Sequence, residues 1–428
     1  MLQYNSIEAT LNRPFATGAA RRGDAVSALP AVTFAIHRDL AEAGAVWRAF
    51  EAVADCTAFQ TFAWHAAWQE HVGDLTGVRP AIVVGSAAGR TVFIMPFAVE
   101  PGRLAGSLVW HASELCDYNA PLLATDFAHF VEPGAFPSLF ARILAAIAAE
   151  PGLATDAVSL VKMPETVGAQ RNPFVELGTT INPSGAYLTR LTGSWDDFYK
   201  EKRSPETRRR DRNKRKRLSD LGPLRYATLA DPAAADSALT TLFRQKSAAF
   251  ARMGVPDIFA RPGYTAFFRA IAADPANRDF VHVSRLDVGE TPAAINLALV
   301  FNGSYYHVLA SYDPGPVSRF GPGVAHLHEM IAYAIGRGCT TFDFTIGDEP
   351  YKREWSDTTL TLHDWRAATT WRGAAVSFPA RAWARIKRTI KQTPFLWDLA
   401  VRSRGTVARL TGRSKRDGAS PADTGGPD

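Results

Sequence analysis

The sequence predicts an α/β protein made of two successive units, each mixing strands and helices around a mixed sheet. Three observations carry this. Segments with a hydrophobic period near two alternate with segments of period near 3.6 from Ala31 to Trp371. The two halves repeat the same loose order of strands and helices, although their residues do not align convincingly. Asn302-Gly303 sits between two strand-like runs, a strong hairpin signal because both positions of a tight turn must take positive φ.

The first unit spans residues 31–185. VTFAIH reads as a strand and DLAEAGAVWRAFEAVA as an amphipathic helix. FQTFAWHAAWQEHVG is a second helix, given aromatic bulk by Phe62, Trp64, His65 and Trp68. AIVVGSAAGRTVFIMPFAVE predicts a hairpin turning at Ala87–Gly89, and LAGSLVWHA a further strand. SLFARILAAIAAE is a helix, and DAVSLVKMP the strand after it.

The second unit spans 186–372. YLTRL is a strand. SWDDFYKEK starts a helix with Ser194 as N-cap and Asp197 three residues on. After a basic run, PLRYATL is a strand, and ALTTLFRQKSAAFARMG a helix closed by Gly254. PGYTAFFRAIAAD is a helix with Pro262 near its start. FVHVSRLDV, AAINLALVF and SYYHVLASYD follow as three strands. Gly303 to Trp355 then reads as strand, Gly/Pro loop, helix, strand and a polar-aromatic segment, and TLTLHDWRAATTW gives the unit its final strand. Outside the units lie a disordered leader (1–30), a basic amphipathic helical tail (373–412) and a polar, Gly/Pro-rich end (413–428).

At 428 residues the length favours two or three domains, and the 46% hydrophobic content can fill sizeable cores. Cys56, Cys116 and Cys339 are scattered and form no C-x-x-C pair, which argues against a disulfide framework and a zinc site and for a reducing cytoplasm. No apolar run reaches the ~18–20 residues that span a bilayer. The N-terminus has no apolar h-region, so a disordered leader is a better reading than a signal or transit peptide.

The net charge of +6 is unevenly placed. Lys200–Arg217 holds eleven basic and three acidic residues, and Arg381–Arg416 eleven basic and one acidic, so the remainder of the chain is acidic. The first run has no interleaved aromatics. A solvated helix face, a seat for cofactor or acceptor phosphates, and tRNA binding are all open readings. The second run interleaves Phe378, Trp383, Ile386, Ile390 and Trp397 with its cations. Over 378–410 that suits peripheral contact with the anionic inner face of a membrane, or equally a helix packed on the second unit.

The Gly/Pro loop before the helix at Pro322 can aim N–H groups and a helix N-terminus at an anion such as a pyrophosphate, with no metal. His326, His328 and Glu329 lack the i, i+4 histidine pairing of a zinc helix. Past the FDF strand, Tyr351 and Lys352 read either as a surface turn with a packed tyrosine or as a site in which the phenol donates a proton to a leaving group and the ammonium holds phosphate or steadies an oxyanion. Asp343 alternates with Phe342 and Phe344, so it faces away from both rings. It suits orienting Lys352, accepting an amine's proton, or pairing with an arginine. His307 reads as a core histidine before a general base, and CDYNAP (with Asp117, Tyr118 and Asn119) as a turn or an acceptor-cleft lining.

Two segments, WDDFYKEKRSPETRRRDRNKRKRLSDLGPLRY and GPGVAHLHEMIAYAIGRGCTTFDFTIGDEPYKREW, resemble signatures of the CelD-like (cellulose biosynthesis) or BioF2-like acetyltransferases. That group belongs to the GNAT superfamily and is related to the FemAB peptidoglycan aminoacyltransferases. FQTFAWHAAWQEHVG resembles its opening helix, and the similarity spans Phe34 to Trp371. The resemblance implies tandem GNAT-like domains, the first degenerate and the second catalytic. It implies acyl-CoA as donor, and an amine or hydroxyl of an envelope or exopolysaccharide precursor as acceptor. Tyr305–Tyr312 would hold the acyl group, and Tyr312, Arg319, Gly321, Gly323 and Val324 would bind the cofactor. Tyr351, Lys352 and Asp343 would be catalytic. The loop departs from the usual Gln/Arg-x-x-Gly-x-Gly/Ala, with Ser318 at its first position and Pro322 removing a donor. An aminoacyl-tRNA donor and a non-catalytic scaffold in polysaccharide synthesis stand as the other implied functions.

Overall fold

In a computed structural model, residues 31–102 and 105–375 are described. The expected leader and nearly all of the basic tail, including 378–410, lie outside them. No helix among the described residues is long and apolar enough to cross a membrane.

The first half runs β1 (Thr33–His37), α1 (Leu40–Glu51), α2 (Phe62–Trp68), β2 (Arg79–Ala87), β3 (Arg90–Glu100), β4 (Ser107–Trp110), α3 (Phe136–Ala149) and β5 (Ala157–Pro164). A linking segment supplies β6 (Ala186–Arg190), α4 (Trp195–Lys202) and α5 (Pro205–Ser219). The second half runs β7 (Leu224–Thr228), α6 (Pro232–Met253), α7 (Tyr264–Ala273), β8 (Val281–Val288), β9 (Thr291–Phe301), β10 (Ser304–Tyr312), α8 (Pro322–Gly336) and β11 (Thr341–Ile346). Then come α9 (Pro350–Trp355) and β12 (Leu362–Ala368). The order strand, two helices, three strands, helix, strand thus occurs twice.

In each half the first four strands pair antiparallel in sequence order, and the helix after the fourth carries the chain over to a parallel fifth. Local chemistry fits this. Asn302 and Gly303 take φ of 45° and 70°, the tight turn their identities predict between β9 and β10. Ser194 caps α4 by accepting from the Asp197 amide, and Gly254 ends α6 in the left-handed conformation.

The final strand departs from the sequence expectation. Rather than finishing the second sheet, β12 crosses to the first and pairs antiparallel with β5, while β6 holds the matching place beside β11. The 186–372 segment is therefore not a closed unit: its last strand completes the other half's sheet. Asp364 on β12 fastens the exchange, accepting from the Lys162 amide at 3.0 Å and from Asn182 Nδ2 at 2.8 Å.

One apolar cluster joins the two halves. Trp64 of α2 meets Phe267 of α7 edge-on at 4.8 Å, and Phe59 meets Tyr306 of β10 at 5.8 Å. Leu239, Leu242 and Phe243 of α6 join the same cluster. On the opposite face of the second sheet, Leu327, Met330 and Ile331 of α8 pack with Tyr305, Phe342 and Phe344. So α8 covers one face of that sheet, and α6, α7 and the first half cover the other.

Candidate functional site

The site begins where the parallel pairing of β10 and β11 stops. Register runs through Ser304 with Thr341, Tyr305 with Phe342 and Tyr306 with Asp343, and ends there. Beyond it Thr345 takes a φ of 59°, its amide donates to Asp343 Oδ1 at 2.7 Å, and its hydroxyl to the His307 carbonyl at 3.3 Å. β11 turns away while β10 stays paired with β9 as far as Tyr312. Val308 has no partner on β9, a bulge that bends β10 beside the opening. The edge of β10 from His307 to Tyr312 therefore borders a wedge.

A cavity of about 510 Å³ fills the wedge and passes from one face of the sheet to the other. Residues on consecutive positions of β10 line it, as expected when a strand edge rather than a face is open. On the α8 side it is walled by Gly321–Val324, Leu327 and Met330. Here the 15-residue helix presents its positive end, which favours an anion. Gly321 holds φ 68° to start that helix, and Gly323 faces the Tyr312 ring. On the other side it is walled by Lys246 of α6 and by Asp117, which comes from the first half.

Of the residues expected from sequence, Tyr312, Gly321, Gly323, Val324, Tyr351 and Lys352 meet at this cavity. Arg319 and Asp343 do not line it. The Arg319 guanidinium lies over its neighbour Phe320, 4.7 Å from the ring centre. Asp343 does face away from Phe342 and Phe344, but it is held by Tyr118 and Thr345 rather than touching Lys352. Burial pushes its carboxyl up to about 7, against the pull of those two bonds.

Lys352 is 5% exposed; its ammonium donates to the Ile346 carbonyl at 2.7 Å and pairs with Glu349 at 3.2 Å. This needs Gly347, at φ 142°, because a Cβ there would meet the Glu349 carboxylate and come within 2.8 Å of Lys352 Nζ. Tyr351 packs edge-on against Phe344, and burial holds its phenol protonated well beyond the usual range.

His307 is buried with no partner on Nδ1. Burial, then the charges of Lys352 and Lys246, push it down to about 3, so the ring is neutral. His326 also lines the cavity but is a satisfied core residue, bonded through Nε2 to Ser284 at 3.0 Å. Burial raises the Asp117 carboxyl, opposed by the Lys162 charge and by a bond from Thr345. Burial lowers the Lys246 ammonium, opposed by Glu349. Sequence reasoning passed over Lys246, which reads as one more polar residue of an amphipathic helix. Its one signal is the neighbouring Gln245, a buried amide that bonds Ser311 and the Pro292 carbonyl.

The first half has the corresponding strand separation but fills it with its own chain. Pairing of β4 with β5 ends at Val109 and Ser159. Asn119 then bonds the Lys162 and Val161 carbonyls at 3.0 and 2.9 Å, and Lys162 Nζ bonds the Cys116 carbonyl. The plug has a use: it carries Asp117 and Tyr118 to the second half's wedge.

This architecture agrees with what known proteins show. The profile of the acetyltransferase (GNAT) domain family matches residues 205–353, from α5 to α9. FemX has the same fold at 11% identity, with a TM-score of 0.52 over 81% of this chain and 98% of its own. A Bacteroides thetaiotaomicron conserved protein of unknown function matches at 12% identity and a TM-score of 0.50, over 78% of this chain and 99% of its own. No curated protein sequence matches the chain. Residues 205–353 are thus similar to an acetyltransferase (GNAT) domain, and the chain shares its fold with FemX.

Proposed function

We propose that the protein transfers an acyl group from acyl-CoA to an amine or hydroxyl of an acceptor. The observation that carries this is the wedge: an unpaired strand edge, an apolar wall from Leu327 and Met330, and a helix N-terminus meet at one cavity. These residues fit an acyl-thioester. The open edge of β10 suits the amide-bearing arm, and Gly321–Val324 at the positive end of α8 suit the pyrophosphate. Pro322 contributes no donor, so the charge of the helix end and the flanking amides carry that task.

The acceptor's nitrogen or oxygen attacks the thioester carbonyl, the new C–N or C–O bond forms and the C–S bond breaks. Asp117 takes the proton lost by the nucleophile, because burial raises its basicity and it stands on the face opposite the phosphate loop. His307, held neutral, accepts a hydrogen bond without storing a proton. Tyr351 gives its proton to the departing sulfur, and the Lys352 ammonium, anchored by Glu349 and the Ile346 carbonyl, favours the developing oxyanion. Asp343 is a positioning residue, holding the bend at Thr345. The resemblance to the CelD-like group directs the acceptor to envelope or exopolysaccharide precursors.

An aminoacyl-tRNA donor is the second reading, and one observation favours it: the basic helix α5 runs beside the phosphate loop, with Lys214 next to Gly321. Titration with acetyl-CoA and with charged tRNA separates the two. The first reading expects calorimetric binding of acetyl-CoA and release of free thiol on transfer. The second expects no CoA binding, and tRNA binding that weakens steeply with salt.

A further inference from the structure

We infer that the acceptor end entering this wedge is an amino-carboxylate, its carboxylate held by Lys246 and its amine by Asp117. The inference rests on the acyl-transfer reading and names the substrate class for it.

The argument starts from the two sides of the cavity. The phosphate loop and α8 lie on one face of the second sheet, so the donor's charged portion belongs there. Lys246 and Asp117 lie on the other face, with α6 and the first half. They face the incoming acceptor.

No protein carboxylate reaches Lys246 to form an ion pair among the described residues, although the charges of Glu349 and Asp117 act on it from farther away. Among the described residues it makes neither a hydrogen bond nor a carboxylate ion pair, and its close contact is the Phe250 ring, 5.4 Å from Nζ. The other lysine at the cavity, Lys352, is already committed to Glu349 and the Ile346 carbonyl. A partly buried ammonium without a partner is costly and is relieved by an anion from the ligand. Its position is set rather than loose: Gln245, the adjacent residue, is locked to Ser311 at 2.7 Å on the open strand.

The ligand anion is a carboxylate rather than a phosphate. This side of the cavity offers one lone ammonium, with neither an arginine fork nor a helix N-terminus, and one positive charge balances a monoanion. Asp117, which lines the same side of the cavity, supplies the complementary negative charge. A ligand with an amine and a carboxylate satisfies both, and it places the amine beside the group that takes its proton.

Product-like probes test this on the full chain saturated with CoA. N-acetylglycine and N-acetyl-β-alanine carry the carboxylate; N-acetylethanolamine does not. The carboxylates are expected to bind at least about tenfold more tightly by calorimetry. Lys246→Met is expected to erase that preference, Lys246→Arg to keep it, and inorganic phosphate not to compete. Turnover of glycine and β-alanine against their methyl esters should show the same preference in kcat/KM. Equal binding of charged and uncharged probes, a preference that survives Lys246→Met, or no binding of any probe at millimolar concentration while CoA binds, overturns the inference and leaves acyl transfer standing. Failure of wild-type protein to bind CoA overturns the acyl-transfer reading instead.

Discussion

The Tyr118 hydroxyl donates to Asp343 Oδ1 at 2.7 Å, joining residues 225 positions apart and tying the plug of the first half to the strand that opens the second. Both groups are buried. Removing the donor leaves a buried carboxyl short of a partner, so Tyr118→Phe is expected to cost about 1–3 kcal/mol in urea unfolding. Transfer should slow as well, because Asp343 also fixes the bend at Thr345. Unchanged stability and rate would contradict the link.

Asp343 also predicts how stability depends on pH. Its carboxyl rises from 3.8 to about 7 through burial. Between those values the folded chain keeps a proton that the unfolded chain has lost. This residue's contribution is therefore fully present below pH 4 and falls as pH climbs toward 7. Asp343→Asn should flatten that decline, with part of it remaining from Asp117, which is shifted the same way. Melting curves across this range check it; an unaltered slope would contradict the assignment.

Tyr351→Phe keeps the ring against Phe344 and removes the hydroxyl proposed as proton donor. The account expects kcat to fall by about 10²–10⁴-fold with CoA affinity unchanged. A matching loss of CoA affinity would instead make the phenol a binding group.

The exchanged strand predicts long-range damage. Asp364→Ala takes acceptors from Lys162 and Asn182, which belong to the first half and the linker. A loss of about 1–3 kcal/mol is expected, together with faster amide exchange in β5. Exchange confined to β12 would show that the strand adds little to the first sheet.

Much of this was legible in the sequence, for local reasons. Asn302-Gly303 marks its hairpin, Gly254 its helix end, and the run from Gly321 to Lys352 its loop, helix and strand. The partner of Leu362–Ala368 was not legible, because alternation along a strand says which face is buried and not which sheet receives it. Lys246 was hidden for a similar reason: a lysine on an amphipathic helix looks solvated until a second element covers it. Asp117 belonged to a noticed motif, but only the plug of the first half shows why a residue from there faces the second wedge.

The central claim is that the wedge between β10 and β11 holds an acyl-thioester. Calorimetric titration of acetyl-CoA into wild-type protein and into Ala310→Trp, which fills the cavity from the open edge of β10, tests it most directly. The account predicts one site per chain in the wild type and its loss in the variant, with the variant's fold intact by circular dichroism. No binding to the wild type, or undiminished binding to the variant, would contradict it.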